Sequence, residues 1–246
     1  MILLRLSLRG KKDGMIMLDW TVRGGKAFSR EWVLSHLGSF DSTDVTYTGL
    51  PASTGIFESL LAERLKTSKI HFELFETDPE IFESVKTLQF GKAHTVRASL
   101  GDVDDYVLSP LYVPGQILWL DYCGPINSKR LRSLAKACKN LKGDSKVVVT
   151  FMSMREQPEG SLLIKHYCSK FCDYVSPERI SGDKVSTAFF RRIQAVLEAV
   201  DFSGLKLNAD VLCYKDTVPM FVMVLGLCKD RRNSITISSY KGENDG

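Results

Sequence analysis

The sequence has no long uninterrupted run of apolar residues and no CxxC pair. A membrane-spanning helix needs about 20 apolar residues, and no segment approaches that length, so no membrane partner is expected. The 6 cysteines stand apart, which is typical of proteins in a reducing compartment. His166, Cys168 and Cys172 lack a fourth ligand at a zinc-like spacing, so no metal site is expected there. We therefore expect a soluble, intracellular protein of the cytoplasm or nucleus.

Positive charge is scarce in the middle of the chain and abundant in its second half. Residues 51–125 carry 6 Lys and Arg against 11 Asp and Glu, whereas residues 126–246 carry 20 against 13, within a total formal charge of +4. A basic surface of this kind suits RNA or DNA as a partner. The Lys and Arg residues are scattered rather than clustered, so solvated helix faces explain the pattern equally well.

Apolar periodicity divides the chain into alternating strands and helices, with neither an internal repeat nor a linker. The predicted strands are 44–50, 69–76, 93–99, 115–121, 145–152, 205–215 and 219–229, and the predicted helices include 26–37, 53–66, 79–90 and 127–141. This alternation is typical of a parallel sheet with crossover helices, and the last two strands form a hairpin. We predict one domain over 41–229, an N-terminal hairpin and helix over 1–40, and a disordered polar tail over 230–246.

Five strand–helix units that end in a hairpin resemble the class I S-adenosylmethionine-dependent methyltransferase superfamily, as a divergent member, over residues 40–229. The resemblance implies an α/β fold with a doubly wound, mostly parallel sheet of seven strands and a C-terminal antiparallel hairpin. It also implies S-adenosylmethionine as the cofactor, bound at the carboxyl ends of the strands. A nicotinamide-binding Rossmann enzyme fits less well, because GxGxxG is missing.

The turn after the first strand reads YTGLPASTG. In the family, this turn lets the backbone approach the methionine part of the cofactor, and a helix N-terminus suits the carboxylate of that part. The resemblance therefore implies cofactor contacts from Thr48, Gly49, Leu50 and Gly55. The compact glycine pattern of the family is missing, and an ordinary loop capped by Ser53 or Thr54 is the alternative.

The second and third strands end in polar residues that the resemblance assigns to the nucleoside part of the cofactor. Asp78 precedes Pro79 and is better explained as a helix N-cap. Glu76 is then the residue for the ribose hydroxyls, because one carboxylate can accept two hydrogen bonds. Ser99 and Asp102 are the choices for the adenine amino group, with a plain loop as the alternative at Asp102.

The fourth strand reads QILWLD, and an acid at the end of such a buried strand is costly unless it is used. Methyltransferases that act on base amino groups carry an Asp or Asn, two prolines and an aromatic residue here. The acid accepts a hydrogen bond from the amino group and the aromatic ring stacks on the base. The resemblance thus implies Asp121, Tyr122 and Pro125 as catalytic residues, in an altered order, and a nucleic-acid base amino group as the acceptor.

Other functions stay open. Ribose 2′-O-methylation uses a lysine at the end of the fifth strand, where this sequence has Thr150. Pyrimidine C5 methylation needs a cysteine nucleophile, for which Cys123 is the candidate. An inactive methyltransferase-like binding or scaffold subunit is the alternative of a different class, because the glycine turn is eroded.

Overall fold

The computed structural model of the protein describes residues 25–65, 69–122, 124–152, 162–163, 187–200, 204–215, 219–228 and 234–239. The strands are β1 Asp44–Gly49, β2 Lys69–Glu76, β3 Thr95–Leu100, β4 Ile117–Asp121, β5 Lys146–Met152, β6 Leu207–Lys215, β7 Pro219–Leu227 and β8 Ser234–Ser239. The helices are α1 Gly25–Leu37, α2 Ile56–Arg64, α3 Pro79–Val85, α4 Val103–Leu108, α5 Ser128–Lys139 and α6 Thr187–Ala199. The predicted N-terminal hairpin, Cys123 and the group His166, Cys168 and Cys172 lie outside the described residues.

All eight strands join one sheet in the order β3-β2-β1-β4-β5-β7-β6-β8. Strands β1 to β5 run parallel, and β7 is antiparallel to both of its neighbours, β5 and β6. Strand β8 runs parallel to β6. This order, with β7 as the reversed strand of a C-terminal hairpin, confirms the predicted class I methyltransferase-like fold.

Within the described residues, the sheet has eight strands where the sequence predicts seven. The eighth strand, β8, lies in the segment 230–246 that is expected to be disordered, so that expectation is wrong for Ser234–Ser239. Ile235 is buried and Ile237 packs beside it against the core. The backbone of β8 pairs with the open edge of β6. The polar composition of segment 230–246 does not reveal this pairing.

Helices cover both faces of the sheet and enclose a core on each. Helices α1, α2 and α3 pack on the first face with Val33, Leu61 and Val85, and α4, α5 and α6 pack on the second with Val107, Leu134 and Val196. Strand β4 serves both cores, because successive side chains of a strand point to opposite faces. Trp119 lies in the first core and Leu120 in the second. None of the described helices is long and apolar enough to cross a membrane.

Helix α2 buries part of the face that its apolar residues predict. The spacing predicts a core-facing side made of Ile56, Leu60, Leu61 and Leu65. Leu61 is buried and Leu65 packs against the core, whereas Ile56 is 47% exposed. Phe57 and Glu58 are buried as well, so the spacing of large apolar residues alone does not reveal the whole buried face, which includes an acid.

Two aspartates begin helices by capping them. Asp78 caps α3 as predicted, accepting hydrogen bonds from the backbone amides of Glu80 and Ile81 at 2.8 and 3.2 Å. Asp102 caps α4 in the same way and accepts from the amide of Asp104 at 2.8 Å. The sequence pattern does not predict α4, and it allows a plain loop there. With only six residues, α4 is too short for a clear apolar period.

An ion pair links α1 to α2. Arg64 of α2 donates through both terminal guanidinium nitrogens to the two carboxylate oxygens of Glu31, and the Nη2–Oε1 distance is 3.0 Å. The Glu31 side chain is 4% exposed. A two-pronged bond of this kind fixes orientation as well as distance, so it sets how α1 lies beside α2.

We expect Arg64→Gln to lower the free energy of unfolding by about 1 to 3 kcal/mol, because Glu31 loses this partner while it stays buried. The matched control is Lys86→Gln, since Lys86 pairs with Glu83 on the exposed surface of α3. That change should cost less than about 1 kcal/mol. Urea denaturation measures both variants, and equal losses would contradict the special role of the α1–α2 pair.

Candidate functional site

A cleft of about 490 Å³ opens at the carboxyl ends of the central strands. Its walls come from α1, the β1–α2 turn, the end of β2, the start of α4, the end of β4 and the start of α5. Helix α2, which follows β1, and helix α5, which follows β4, pack on opposite faces of the sheet. The cleft therefore lies at the topological switch point, where open α/β sheets bind ligands.

The cleft brings together half of the residues that the sequence predicts. Leu50, Glu76, Asp102, Asp121 and Tyr122 line it. Thr48, Gly49, Gly55, Ser99 and Pro125 do not belong to its lining. Five of the ten predicted residues therefore share one cleft, and the other five lie outside its lining.

The β1–α2 turn differs from both sequence interpretations. Gly55 is the N-cap of α2, has φ of 55° and makes no side-chain cap bond, so neither Ser53 nor Thr54 caps the helix. Thr48 is buried in β1, and its hydroxyl lies 3.5 Å from a carboxylate oxygen of Glu73 on the neighbouring strand. Cleft contacts from this turn come from Leu50 and the two residues that follow it.

Tyr47 and Glu58 form the floor of the cleft, and neither residue is predicted from the sequence. The Tyr47 hydroxyl donates to Oε1 of Glu58 at 2.8 Å, and the two side chains are 1% and 2% exposed. Gly49 makes room for this pair, because a Cβ atom there would lie 2.3 Å from the Tyr47 hydroxyl. The sequence signal for this pair is a Tyr-x-Gly pattern that is followed by an acid in the first turn of the next helix. An acid at that place looks like an ordinary solvated residue, so the pattern does not reveal its burial.

The surroundings of Glu58 and Tyr47 in the floor favour the protonated form of each side chain. Burial raises the pKa of Glu58 above its ordinary value, and the hydrogen bond from Tyr47 opposes that shift. Arg30 also lowers the pKa of Glu58, whereas the negative charge of Asp121 raises it. Burial likewise raises the pKa of Tyr47, with further contributions from Glu58 and Asp121. Glu58 and Asp121 are thus two acids close enough to influence each other.

Glu76 stands at the end of β2 with one oxygen in use. Its Oε1 accepts from the backbone amides of Thr77 and Asp78 at 2.7 and 2.9 Å. Within the described residues, the side-chain hydrogen bonds of Glu76 all involve Oε1. These bonds fix the carboxylate at the rim of the cleft and leave Oε2 for a ligand.

Both oxygens of Asp102 have partners in the protein. Oδ1 takes part in the cap of α4, and Oδ2 accepts from Nζ of Lys129 at 2.6 Å. The Lys129 ammonium also lies 2.8 Å from Oδ1 of Asp105, and the hydrogen bonds that it donates to the two acids raise its pKa. A contact between Asp102 and an adenine amino group would therefore compete with Lys129.

The Tyr122 side chain contacts three neighbouring side chains, so it is not freely available to an acceptor. Its hydroxyl donates to Oδ1 of Asp104, and its ring centroid lies 5.2 Å from that of Phe151. The guanidinium of Arg130 lies over the ring, 4.7 Å from its centroid. Burial raises the pKa of Tyr122, and Asp104 adds to the effect. Stacking of a flat acceptor on this face would require Arg130 to move.

Pro125 contributes through its backbone. Its carbonyl accepts from Nη1 of Arg130 at 2.7 Å. A Cβ atom at Gly124 would lie 2.7 Å from the same Arg130 nitrogen, so a side chain there would displace this guanidinium. Arg130 therefore connects Tyr122 with Pro125, two residues that the sequence predicts to act directly on the acceptor.

No family model and no curated protein match this sequence. The fold is similar to that of an O-methyltransferase from Bacillus cereus in complex with SAH, with 12% identity, a TM-score of 0.47, and 85% of this chain and 84% of that chain covered. It is similar to Trm1 from Pyrococcus horikoshii with S-adenosyl-L-methionine, with 15% identity, a TM-score of 0.48 and coverages of 82% and 55%. It is also similar to human N-acetylserotonin methyltransferase with SAM, with 12% identity, a TM-score of 0.42 and coverages of 81% and 51%. The strand order, rather than these distant likenesses, defines the chain as class I methyltransferase-like in fold.

The raised pKa of Glu58 predicts a pH-dependent stability. The folded protein holds this proton more tightly than the unfolded chain, so wild-type stability falls as the pH rises above the ordinary Glu value towards the folded pKa. Glu58→Gln keeps an acceptor for Tyr47 without the charge, so it should gain stability relative to wild type over that range. Chemical denaturation at pH values from about 4 to 8 measures the difference. Glu63→Gln, on the exposed side of α2, is the control, and a pH-independent difference for Glu58→Gln would contradict the prediction.

Proposed function

We propose that the protein binds S-adenosylmethionine in this cleft and transfers its methyl group to an acceptor. The observation that carries the proposal is the position of two acids, Glu76 and Asp121, at the carboxyl ends of β2 and β4 around one cleft. Strand β1 lies between β2 and β4, so the two acids flank the turn that follows β1. This separation suits two duties, one for the cofactor and one for the acceptor.

The residues present fit this cofactor. A volume of about 490 Å³ lies within the range of small-molecule sites. Oε2 of Glu76 is available for ribose hydroxyls, and Leu50, Pro51 and Val103 offer apolar surface for an adenine ring. The negative charge of Asp121 at the flank of the cleft favours a ligand with positive charge, which S-adenosylmethionine carries at its sulfonium and amino groups.

The cofactor supplies an activated methyl group, and the tasks of the protein are holding and orientation. Glu76 holds the sugar through its free oxygen. Asp121 accepts a hydrogen bond from an N–H or O–H of the acceptor, which directs a lone pair of the attacking atom at the methyl group. Glu58 is buried in the floor, where the charge of Asp121 contributes to its raised pKa.

For the acceptor, we propose an amino group of a nucleic-acid base. The support is the acid at the end of β4 together with basic side chains in the cleft wall, of which Lys26 and Arg30 belong to α1. Tyr122 serves this function only if Arg130 leaves its ring, so orientation rests mainly on Asp121. The alternative, a binding subunit without catalysis, shares cofactor binding but not methyl transfer.

We expect Glu76→Ala to weaken binding of S-adenosylmethionine by about 1 to 3 kcal/mol, because a charge-assisted hydrogen bond to the ribose is lost. Isothermal titration calorimetry measures the dissociation constant. Glu80→Ala, an exposed acid in the first turn of α3, is the control and should leave it unchanged. An unaltered dissociation constant in Glu76→Ala would refute the ribose assignment. Absence of binding to the wild type would refute the proposed function.

We expect Asp121→Asn to retain cofactor binding and to lose methyl transfer by a factor of about 100 or more, because orientation of the acceptor is lost. Transfer of labelled methyl groups to RNA and DNA measures the activity, with Asp41→Asn, an exposed acid before β1, as the control. Full activity in Asp121→Asn would show that this acid does not orient the acceptor. Cofactor binding by the wild type without transfer to any acceptor would favour the binding-subunit alternative.

A further inference from the structure

Most charged side chains in the cleft wall have a partner in the protein. Lys129 bonds Asp102, and Arg130 bonds the carbonyl of Pro125. The exceptions among the cations are Lys26 and Arg30 of α1. Neither side chain makes a hydrogen bond or an ion pair with any residue that the structure describes, yet both line the cleft.

The two cations lie on the same face of α1. Residues four apart on a helix are neighbours about 5 to 6 Å apart, and two like charges at this spacing destabilise the helix slightly. The helix is anchored beside them, because Val33 and Leu37 are buried in the core and Glu31 is bonded to Arg64. Lys26 and Arg30 are therefore held side by side at the cleft, and neither side chain forms a hydrogen bond or an ion pair with a described acid.

We propose that Lys26 and Arg30 form an anion subsite in the cleft, which binds a carboxylate or a phosphate group of the bound molecule. The planar guanidinium of Arg30 matches the two oxygens of such a group, and the Lys26 ammonium adds a mobile point charge. The acidic floor and this basic wall together suit a ligand that carries both charge signs. Arg30 lies close enough to Glu58 to lower its pKa, so the two regions adjoin.

Two sources can supply the anion, and both follow from the proposed function. One is the carboxylate of the methionine part of the cofactor. The other is an anionic group of the acceptor, such as a phosphate. The anion subsite itself depends only on the charges of α1, so it can be tested even if no cofactor binds.

The test uses the full chain with Lys26→Gln and Arg30→Gln combined. Calorimetric titrations compare it with the wild type for three probes: S-adenosylhomocysteine, 5′-methylthioadenosine, which lacks the amino-acid end, and inorganic pyrophosphate. Lys92→Gln combined with Lys142→Gln removes the same charge from exposed loops before β3 and β5 and serves as the control. Because Lys26 is exposed and Arg30 only partly buried, the variant should fold, which a thermal unfolding curve checks.

If the cofactor supplies the anion, the double variant should bind S-adenosylhomocysteine about 10- to 100-fold more weakly and 5′-methylthioadenosine as the wild type does. If the acceptor supplies it, binding of both nucleosides should be unchanged, and pyrophosphate binding to the S-adenosylhomocysteine complex should fall by a similar factor. Lys26→Arg combined with Arg30→Lys should keep most of the affinity in either case.

Unchanged binding of all three probes in the double variant would overturn the anion subsite, as would equal losses in the control. A wild type that binds pyrophosphate but neither nucleoside would leave the subsite supported and the proposed function refuted. A wild type that binds none of the three probes would overturn both proposals.

Discussion

The cleft depends on one constraint, the parallel pairing of β1 with β2 on one side and with β4 on the other. The connections that follow β1 and β4 then cross to opposite faces of the sheet. The helices that they lead to, α2 and α5, therefore leave the space between the two strand ends open. The positions of four side chains around the cleft follow from these diverging connections. Tyr47 and Glu58 form the floor, whereas Glu76 and Asp121 stand at the flanks.

The floor keeps a buried acid where an apolar side chain would cost less. Burying a carboxyl group is unfavourable unless it is hydrogen-bonded, and the Tyr47 hydroxyl and the charge of Arg30 offset only part of that cost, because the pKa of Glu58 stays raised. Perturbed acids of this kind concentrate at functional sites. A side chain at Gly49 would collide with the Tyr47 hydroxyl, so the buried Tyr47–Glu58 pair also requires glycine at position 49.

Much of the fold could be predicted from the sequence, because strand ends and caps are local. The predicted strand 69–76 coincides with β2, and Asp78 and Pro79 begin α3 as expected. Glu58, α4 and β8 could not be predicted, because burial of an acid, a single helical turn and pairing along an open sheet edge depend on contacts distant in sequence. For the same reason, the sequence placed Tyr122 correctly at the cleft but did not reveal that Arg130 covers its ring.

Helix α1 belongs to the core and to the cleft, although it lies before the predicted domain. The sequence assigns it to an extension, 1–40, in front of the predicted domain, but its Val33 is part of the core beneath the first face of the sheet. The helix also forms one wall of the cleft through Lys26 and Arg30. A boundary at residue 40 would remove that wall together with the partner of Arg64. The charge balance of the site, with acids from the sheet and α2 facing cations from α1, therefore arises only when residues before the predicted domain fold onto it.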